Sequence, residues 1–259
     1  MDDYYIYVTT IQANAIKTLV EVLKDVLSDV NMIFDPSGIR VIAMDPTQIS
    51  LVQLKLYSDK FEKYHCPTRR ILGLCMSSLF KLIKSVNNTD NITFAMKKSN
   101  TSELEISIEN SDKNSKTLYH LKLLDLDEET LTFSDVEFDY SLVLPSNDFQ
   151  RLCRDMQNLS DKLRIKVNNS VLRISCDGDF ATQETSIGET THGLIFQKKS
   201  DVMYEEVFSL KYINLFTKST NLSNNIELSL KDKYPLVLKY SVANLGDIKF
   251  CLAGSVSDV

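Results

Sequence analysis

The segment LFKLIKSVNNTDNITF (79–94) returns as INLFTKSTNLSNNIEL (213–228), at an offset of 134. Each copy opens with an apolar stripe at helical spacing, passes through Lys-Ser into an Asn-rich turn, and restarts at Asn-Ile as an alternating run. A change of period from 3.6 to two marks a helix that gives way to a half-buried strand. Upstream, SDVNMIFDPSGIRVIAMD (28–45) aligns without a gap on SDKLRIKVNNSVLRISCD (160–177), at an offset of 132. Both read as two strands joined by a small polar turn. Ahead of each pair lies an amphipathic helix. Its apolar side holds Ile16, Leu19, Val20, Leu23 and Leu27 in one copy and Phe149, Leu152, Cys153 and Met156 in the other. Beyond the quoted segments, Leu104, Ile106 and Ile108 correspond to Leu238, Tyr240 and Val242 at a period of two.

Offsets that agree this closely predict a duplicated α+β chain; two unrelated domains of similar length would not share them. The expected organisation is a first domain over 1–122, a joint over 123–138 and a second domain over 139–259, each with antiparallel sheets packed on two helices. The joint, LLDLDEETLTFSDVEF, carries six carboxylates, no glycine and no proline, with Leu131 and Phe133 as apolar points. It reads as an extended, solvated tether, either a plain linker or one wall of a groove.

With 259 residues, 43% of them hydrophobic and 25% charged, the composition is that of a soluble globular protein. No apolar run approaches the ~20 residues that cross a bilayer, so no membrane partner is expected. The opening MDDYYIYVTT is acidic and lacks the apolar stretch of a signal peptide. Five cysteines without CxxC spacing point to a reducing compartment and buried, inert thiols.

A net charge of −6 argues against coating nucleic acid with the whole surface. The helices nevertheless carry cations. Lys84, Arg154 and Lys218 each fall five positions after an apolar reference (Leu79, Phe149, Ile213). At roughly 100° per residue this places them about 140° from the buried side. Lys81, Arg151 and Lys211 extend the same exposed side, and Lys17 and Lys24 share one flank of the first helix. Lysines are common on polar helix faces, and that is the plain reading. Four helices offering cations on an acidic protein suggest instead a surface that follows a polyanion.

Catalytic signatures are missing: the sequence has no GxxxxGK[ST], GxSxG or HExxH. His65, His120 and His192 sit in unrelated segments. His65 and Cys66 are adjacent, so on a strand they point to opposite faces. CDGDF (176–180) supplies too few ligands for a calcium loop and reads as a turn. The chain is therefore expected not to be an enzyme and to need no cofactor or metal, with a hydrolase built on Cys66 and His65 as the alternative from another class.

Several segments now make a resemblance specific: SGIRVIAMDPTQISLVQLKL, FEKYHC, YHLKLLDLDEETL, LPSNDFQRLCRDM, INLFTKSTNLS and PLVLKYSVANLGDIKFCLA. In order, and over nearly the whole chain, they resemble the proliferating cell nuclear antigen family of eukaryotic and viral DNA sliding clamps. The resemblance implies the DNA-clamp fold, with three protomers closed head to tail into a ring, helices lining the hole and sheets facing outward. It implies a processivity factor for DNA polymerase that encircles duplex DNA without reading its sequence. Such a clamp serves replication and repair, docks partners that carry PIP-box peptides, and is opened by an ATP-dependent loader. A nuclear location follows, or a viral replication compartment if the chain is virus-encoded, and the abundance of Asn suggests an unusual eukaryote or a large DNA virus.

Carried over by position, the resemblance implies that Lys17, Lys24, Lys81, Lys84, Arg154, Lys211 and Lys218 line the hole. Thr18 and Asn158 replace basic residues common there. It implies ring edges at Tyr119 and Leu121 of 117–124 and at 179–187, with Phe180 turned inward. The partner-peptide groove would comprise Met44, Gln48, Ile49, Leu51, Leu131, Phe133, Pro235, Cys251 and Ala253. Cys251 stands where the family usually has Tyr, and Gly254 where it usually has Pro. Asn169 occupies the place of a regulatory ubiquitin-acceptor lysine. One subunit of a heterotrimeric checkpoint clamp, or a monomeric viral processivity factor, are alternatives on the same fold.

Overall fold

The computed structural model describes residues 2–128, 131, 136–168 and 170–255. They fall into two compact units, one drawn from 1–46, 52–132 and 241–248, the other from 47–51, 133–240 and 249–259. Phe133 and Asn169 lie outside the described residues.

The first half of the chain runs β1 (Tyr4–Thr10), α1 (Ala13–Val26), β2 (Asp29–Asp35), β3 (Gly38–Met44), β4 (Ser50–Tyr57), β5 (Lys63–His65), β6 (Arg70–Cys75), α2 (Met76–Ile83), β7 (Asp90–Lys97), β8 (Asn100–Asn110) and β9 (Ser115–Lys122). The second half runs β10 (Tyr140–Pro145), α3 (Ser146–Gln157), β11 (Lys162–Asn168), β12 (Val171–Asp177), β13 (Thr182–Gly188), β14 (Ile195–Lys198), β15 (Tyr204–Ser209), α4 (Leu210–Phe216), β16 (Asn225–Leu230), β17 (Leu236–Val242) and β18 (Gly246–Leu252). Strand order repeats as well. The run β5-β1-β7-β8-β9 matches β14-β10-β16-β17-β18, and β4-β3-β2-β6 matches β13-β12-β11-β15, each index moved by nine. The duplicated α+β fold read from the sequence is the fold observed.

The aligned stretches 28–45 and 160–177 are the hairpins β2–β3 and β11–β12, both antiparallel. In the first, Asp35 lies opposite Gly38. Gly38 has φ +141°, and a Cβ there would stand 1.9 Å from the Leu56 carbonyl oxygen, so the position admits no side chain. Asp35 holds the turn: its carboxylate accepts from the Ser37 amide at 2.7 Å and hydroxyl at 2.5 Å, and pairs with Arg40.

Each unit packs its two helices against its strands. In the first, Ile16, Leu19, Val20 and Leu23 of α1 are buried, as are Phe34, Leu54, Leu74 and Ile106 from the strands. In the second, Phe149, Cys153 and Met156 of α3 and Ile213 and Phe216 of α4 are buried with Leu163, Ile165, Leu172 and Ile174. Phe216 stacks on Phe250 with ring centroids 4.6 Å apart. Burying such side chains supplies the main driving force for both cores, ~1.5–3 kcal/mol for each large apolar residue.

The second helices are shorter than helical extrapolation assumes. α2 stops at Ile83, so Lys84 is its C-cap. α4 stops at Phe216 and tightens into a 3₁₀ segment, Thr217–Asn221, that carries Lys218. Ser, Thr and Asn are poor residues for a helix interior, and a tightened last turn is a common way to end one. The azimuth derived at 100° per residue therefore applies to Arg154, inside α3, and not to Lys84 or Lys218.

Candidate functional site

The basic residues divide into two groups. Lys17 and Lys24 of α1, expected on an exposed flank, are half-buried and engaged. The Lys17 ammonium donates to the Val86 carbonyl just beyond α2, at 2.7 Å. Lys24 pairs with Asp25 at 2.5 Å and lies over the Phe80 ring of α2, 4.9 Å from its centroid. A cation at the carbonyl end of a helix is favoured by its dipole, and both lysines thus bind α1 to α2.

Their counterparts in the repeat do the same work with amides. Gln150 of α3 is the repeat partner of Lys17, at an offset of 133. It donates to the Thr217 carbonyl just beyond α4 at 2.7 Å. Gln157, the partner of Lys24 at the same offset, accepts from Asn214 at 2.8 Å. Asn214 in turn matches Phe80, at the offset of 134 that relates α2 to α4. Sequence reading missed these clasps, although the offsets that revealed the duplication locate them.

Lys81, Lys84, Arg154, Lys211 and Lys218 are exposed. Lys81, Lys84, Arg154 and Lys211 form no ion pair among the described residues. Arg151 is tied to Asp148 at 3.2 Å. The repeat position of Arg154 on α1 holds the exposed Glu21. The first helix is thus less positive than the third. On α2, α3 and α4, solvated cations without fixed partners are arranged to meet diffuse negative charge without a defined geometry.

β9 and β13 each end a sheet. Tyr119 and Leu121 are half-buried, lying opposite Ile106 and Leu104 on the core side of β9. Leu118, on the other side, is 49% exposed. Phe180, set at a ring edge by the resemblance, is 79% exposed in the single chain. It sits in the β12–β13 turn, closed by the Gly178 amide donating to the Ala181 carbonyl at 3.0 Å, where no second layer covers it. CDGDF is the turn expected of it.

The expected groove residues are divided between the two units. In the first, Met44 and Leu131 line one open depression of about 500 Å³, together with Ile33, Ile42, Ile71 and Leu126. The tether is fastened beside it. The Leu124 amide donates to the Gly73 carbonyl at 2.9 Å, Asn31 donates to the Asp127 carbonyl at 2.9 Å, and Arg69 pairs with Glu128. Gly73 permits this approach, since a Cβ there would stand 2.2 Å from the Leu124 carbonyl oxygen.

In the second unit, the Ala253 amide donates to the Ile49 carbonyl at 3.2 Å. Gln48, with φ 60°, is exposed, as is Ala253; Ile49 is 42% exposed. Leu51 and Pro235 are half-buried. Cys251 is buried, and burial pushes its thiol up to about 12, so it offers neither nucleophile nor polar handle.

The His65–Cys66 pair has no nucleophilic geometry. Cys66 is buried, its thiol donates to the Thr68 carbonyl at 3.2 Å, and burial above all raises it to about 11. Among the described residues no three His, Cys, Asp or Glu side chains gather as a metal would need. No described helix is long and apolar enough to cross a membrane.

Comparison with known proteins agrees with this arrangement. Residues 7–130 match the family model for the proliferating cell nuclear antigen N-terminal domain, and residues 132–255 that for its C-terminal domain. The chain is also 40% identical to a probable DNA polymerase sliding clamp of Paramecium bursaria Chlorella virus 1, over 99% of each chain. With matched units, paired helices and both domain models in sequence order, the chain belongs to the proliferating cell nuclear antigen family of DNA sliding clamps, processivity factors that catalyse nothing themselves.

Proposed function

We propose that this clamp is a homotrimer closed into a ring, with duplex DNA passing through a bore lined by the helices. The observation that carries the reading is a set of cations, Lys81, Lys84, Arg154 and Lys211, exposed on three helices and without ion pairs among the described residues, in a protein of net charge −6. Lys218 joins them from the 3₁₀ segment. A few solvated phosphate contacts give weak, salt-sensitive attraction. Such weakness lets DNA slide, while closure of the ring supplies residence time. Lys17 and Lys24 stand on the same helix pair but chiefly hold it together.

Ring closure uses β9 and β13, two unlike edges that meet as a heterologous contact. The exposed Phe180 and Leu118, with Tyr119 and Leu121, are the apolar anchors of that joint, and pairing the edges removes two open strand ends. A monomeric processivity factor would leave these edges bare, and a heterotrimer would need partners with matching ones. The chain organises as domains 1–122 and 139–259 joined by the tether 123–138.

DNA polymerase and other replication and repair proteins dock through PIP-box peptides. In this reading the groove comprises Met44, Gln48, Ile49, Leu51, Leu131, Phe133, Pro235, Cys251 and Ala253. An apolar plug entering a small pocket is the physics of such recognition. An ATP-dependent loader opens the ring, in the nucleus or in a viral replication compartment. Light scattering on the purified chain tests the assembly: a mass of three copies is expected, and a single-copy mass at high concentration overturns it.

A further inference from the structure

The β9 and β13 edges carry opposite charge. Residues 113–122, KNSKTLYHLK, hold three lysines and a histidine and no carboxylate. Residues 179–189, DFATQETSIGE, hold three carboxylates and no basic residue. In a protein with more acid than base, neither segment has the average composition.

The strand registers turn this into a pattern. On the outer face of the first unit, β7 presents Lys97. β8 presents Glu103, Glu105 and Glu109. β9 presents Lys116, His120 and Lys122 opposite those three glutamates. Lys97 pairs with Glu105 and Lys116 with Glu109, both at 2.6 Å. On the outer face of the second unit, β13 presents Glu184, with Asp179 just before the strand. β11 presents Arg164 and Lys166, and β15 presents Glu205, which pairs with both at 3.0 and 2.9 Å. Across the first face the columns alternate and end positive at β9; across the second, β12 sets both Arg173 and Asp177 between β11 and β13, and the face ends negative at β13. Lys122, Glu184 and Asp179 are exposed or half-buried and form no ion pair among the described residues.

We infer that these terminal columns select which edges meet: a β9 edge accepts the β13 edge of another copy and rejects its own kind. Joining β9 to β13 sets a basic edge beside an acidic one, whereas β9 on β9 sets lysine against lysine and β13 on β13 sets carboxylate against carboxylate. Like charges facing each other across strands are destabilising and opposite charges favourable. The edges therefore oppose a two-fold dimer, which uses one patch twice, and favour the head-to-tail contact that leads to a ring. This rests on the ring proposed above.

The test compares the wild-type chain with Glu184→Lys, with Lys116→Glu/Lys122→Glu, and with the chain carrying all three changes, by sedimentation across a concentration series at low and high salt. Glu184→Gln, which removes charge without reversing it, controls for folding, as does circular dichroism. Each reversal is expected to raise the trimer dissociation constant about tenfold or more. The combined chain should recover most of that loss, Glu184→Gln should fall between, and the differences should shrink as salt screens them. Folded single reversals that assemble like the wild type, or a combined chain no better than either, would overturn the inference while leaving the ring standing. A wild-type chain that stays monomeric would overturn both.

Discussion

Lys17 and Lys84 show how one residue type takes on two duties. Lys17 commits its charge to the Val86 carbonyl just beyond α2, 2.7 Å away, while Lys84 caps α2 with its ammonium in solvent. Lys17→Met keeps the aliphatic stem and loses the bond. It is expected to cost about 1–2 kcal/mol of stability in urea unfolding and to leave the salt dependence of DNA binding unchanged. Lys84→Ala should do the reverse, leaving unfolding unchanged and flattening the salt dependence. If the two variants exchange these behaviours, the assignment is wrong. The distinction was not legible from the helical wheel, which gives azimuth and says nothing of what a long side chain can reach. The position of Gln150 in the repeat held the clue.

Among elements, the tether and its seat on β6 are the most sensitive to geometry. Gly73 lets the Leu124 backbone approach, and the Leu124 amide closes the contact. Gly73→Ala is expected to cost about 1–3 kcal/mol through overpacking. It should also speed proteolytic cutting within 123–138 at native concentrations of denaturant; an unchanged cutting rate would show that the seat is not what holds the tether. The strands and helices themselves were legible because period two and period 3.6 are written in Leu104–Ile108 and Ile16–Leu23. Less legible were features set by other segments. Nothing local distinguishes Gly73 from a glycine in an ordinary strand. The ends of α2 and α4 depend on where the chain tightens, and the exposure of Phe180 depends on a turn with nothing packed above it.

At the scale of the whole molecule, duplication explains the matched strand orders and the matched helix pairs. Two equivalent units supply two helix pairs, and β9 and β13 are among the strands that end a sheet. The repeat was read from four aligned stretches, and the strand orders and side-chain clasps follow it closely. The groove was named only through resemblance, because its residues come from separate segments and share no spacing. In the proposed function, duplex DNA is threaded by a ring and not gripped by a patch. The most direct test loads the clamp with its cognate loader onto nicked circular DNA and then linearises half of the sample. Encirclement predicts retention on the circles and loss from the free ends of the linear DNA. Equal retention on both forms would contradict it.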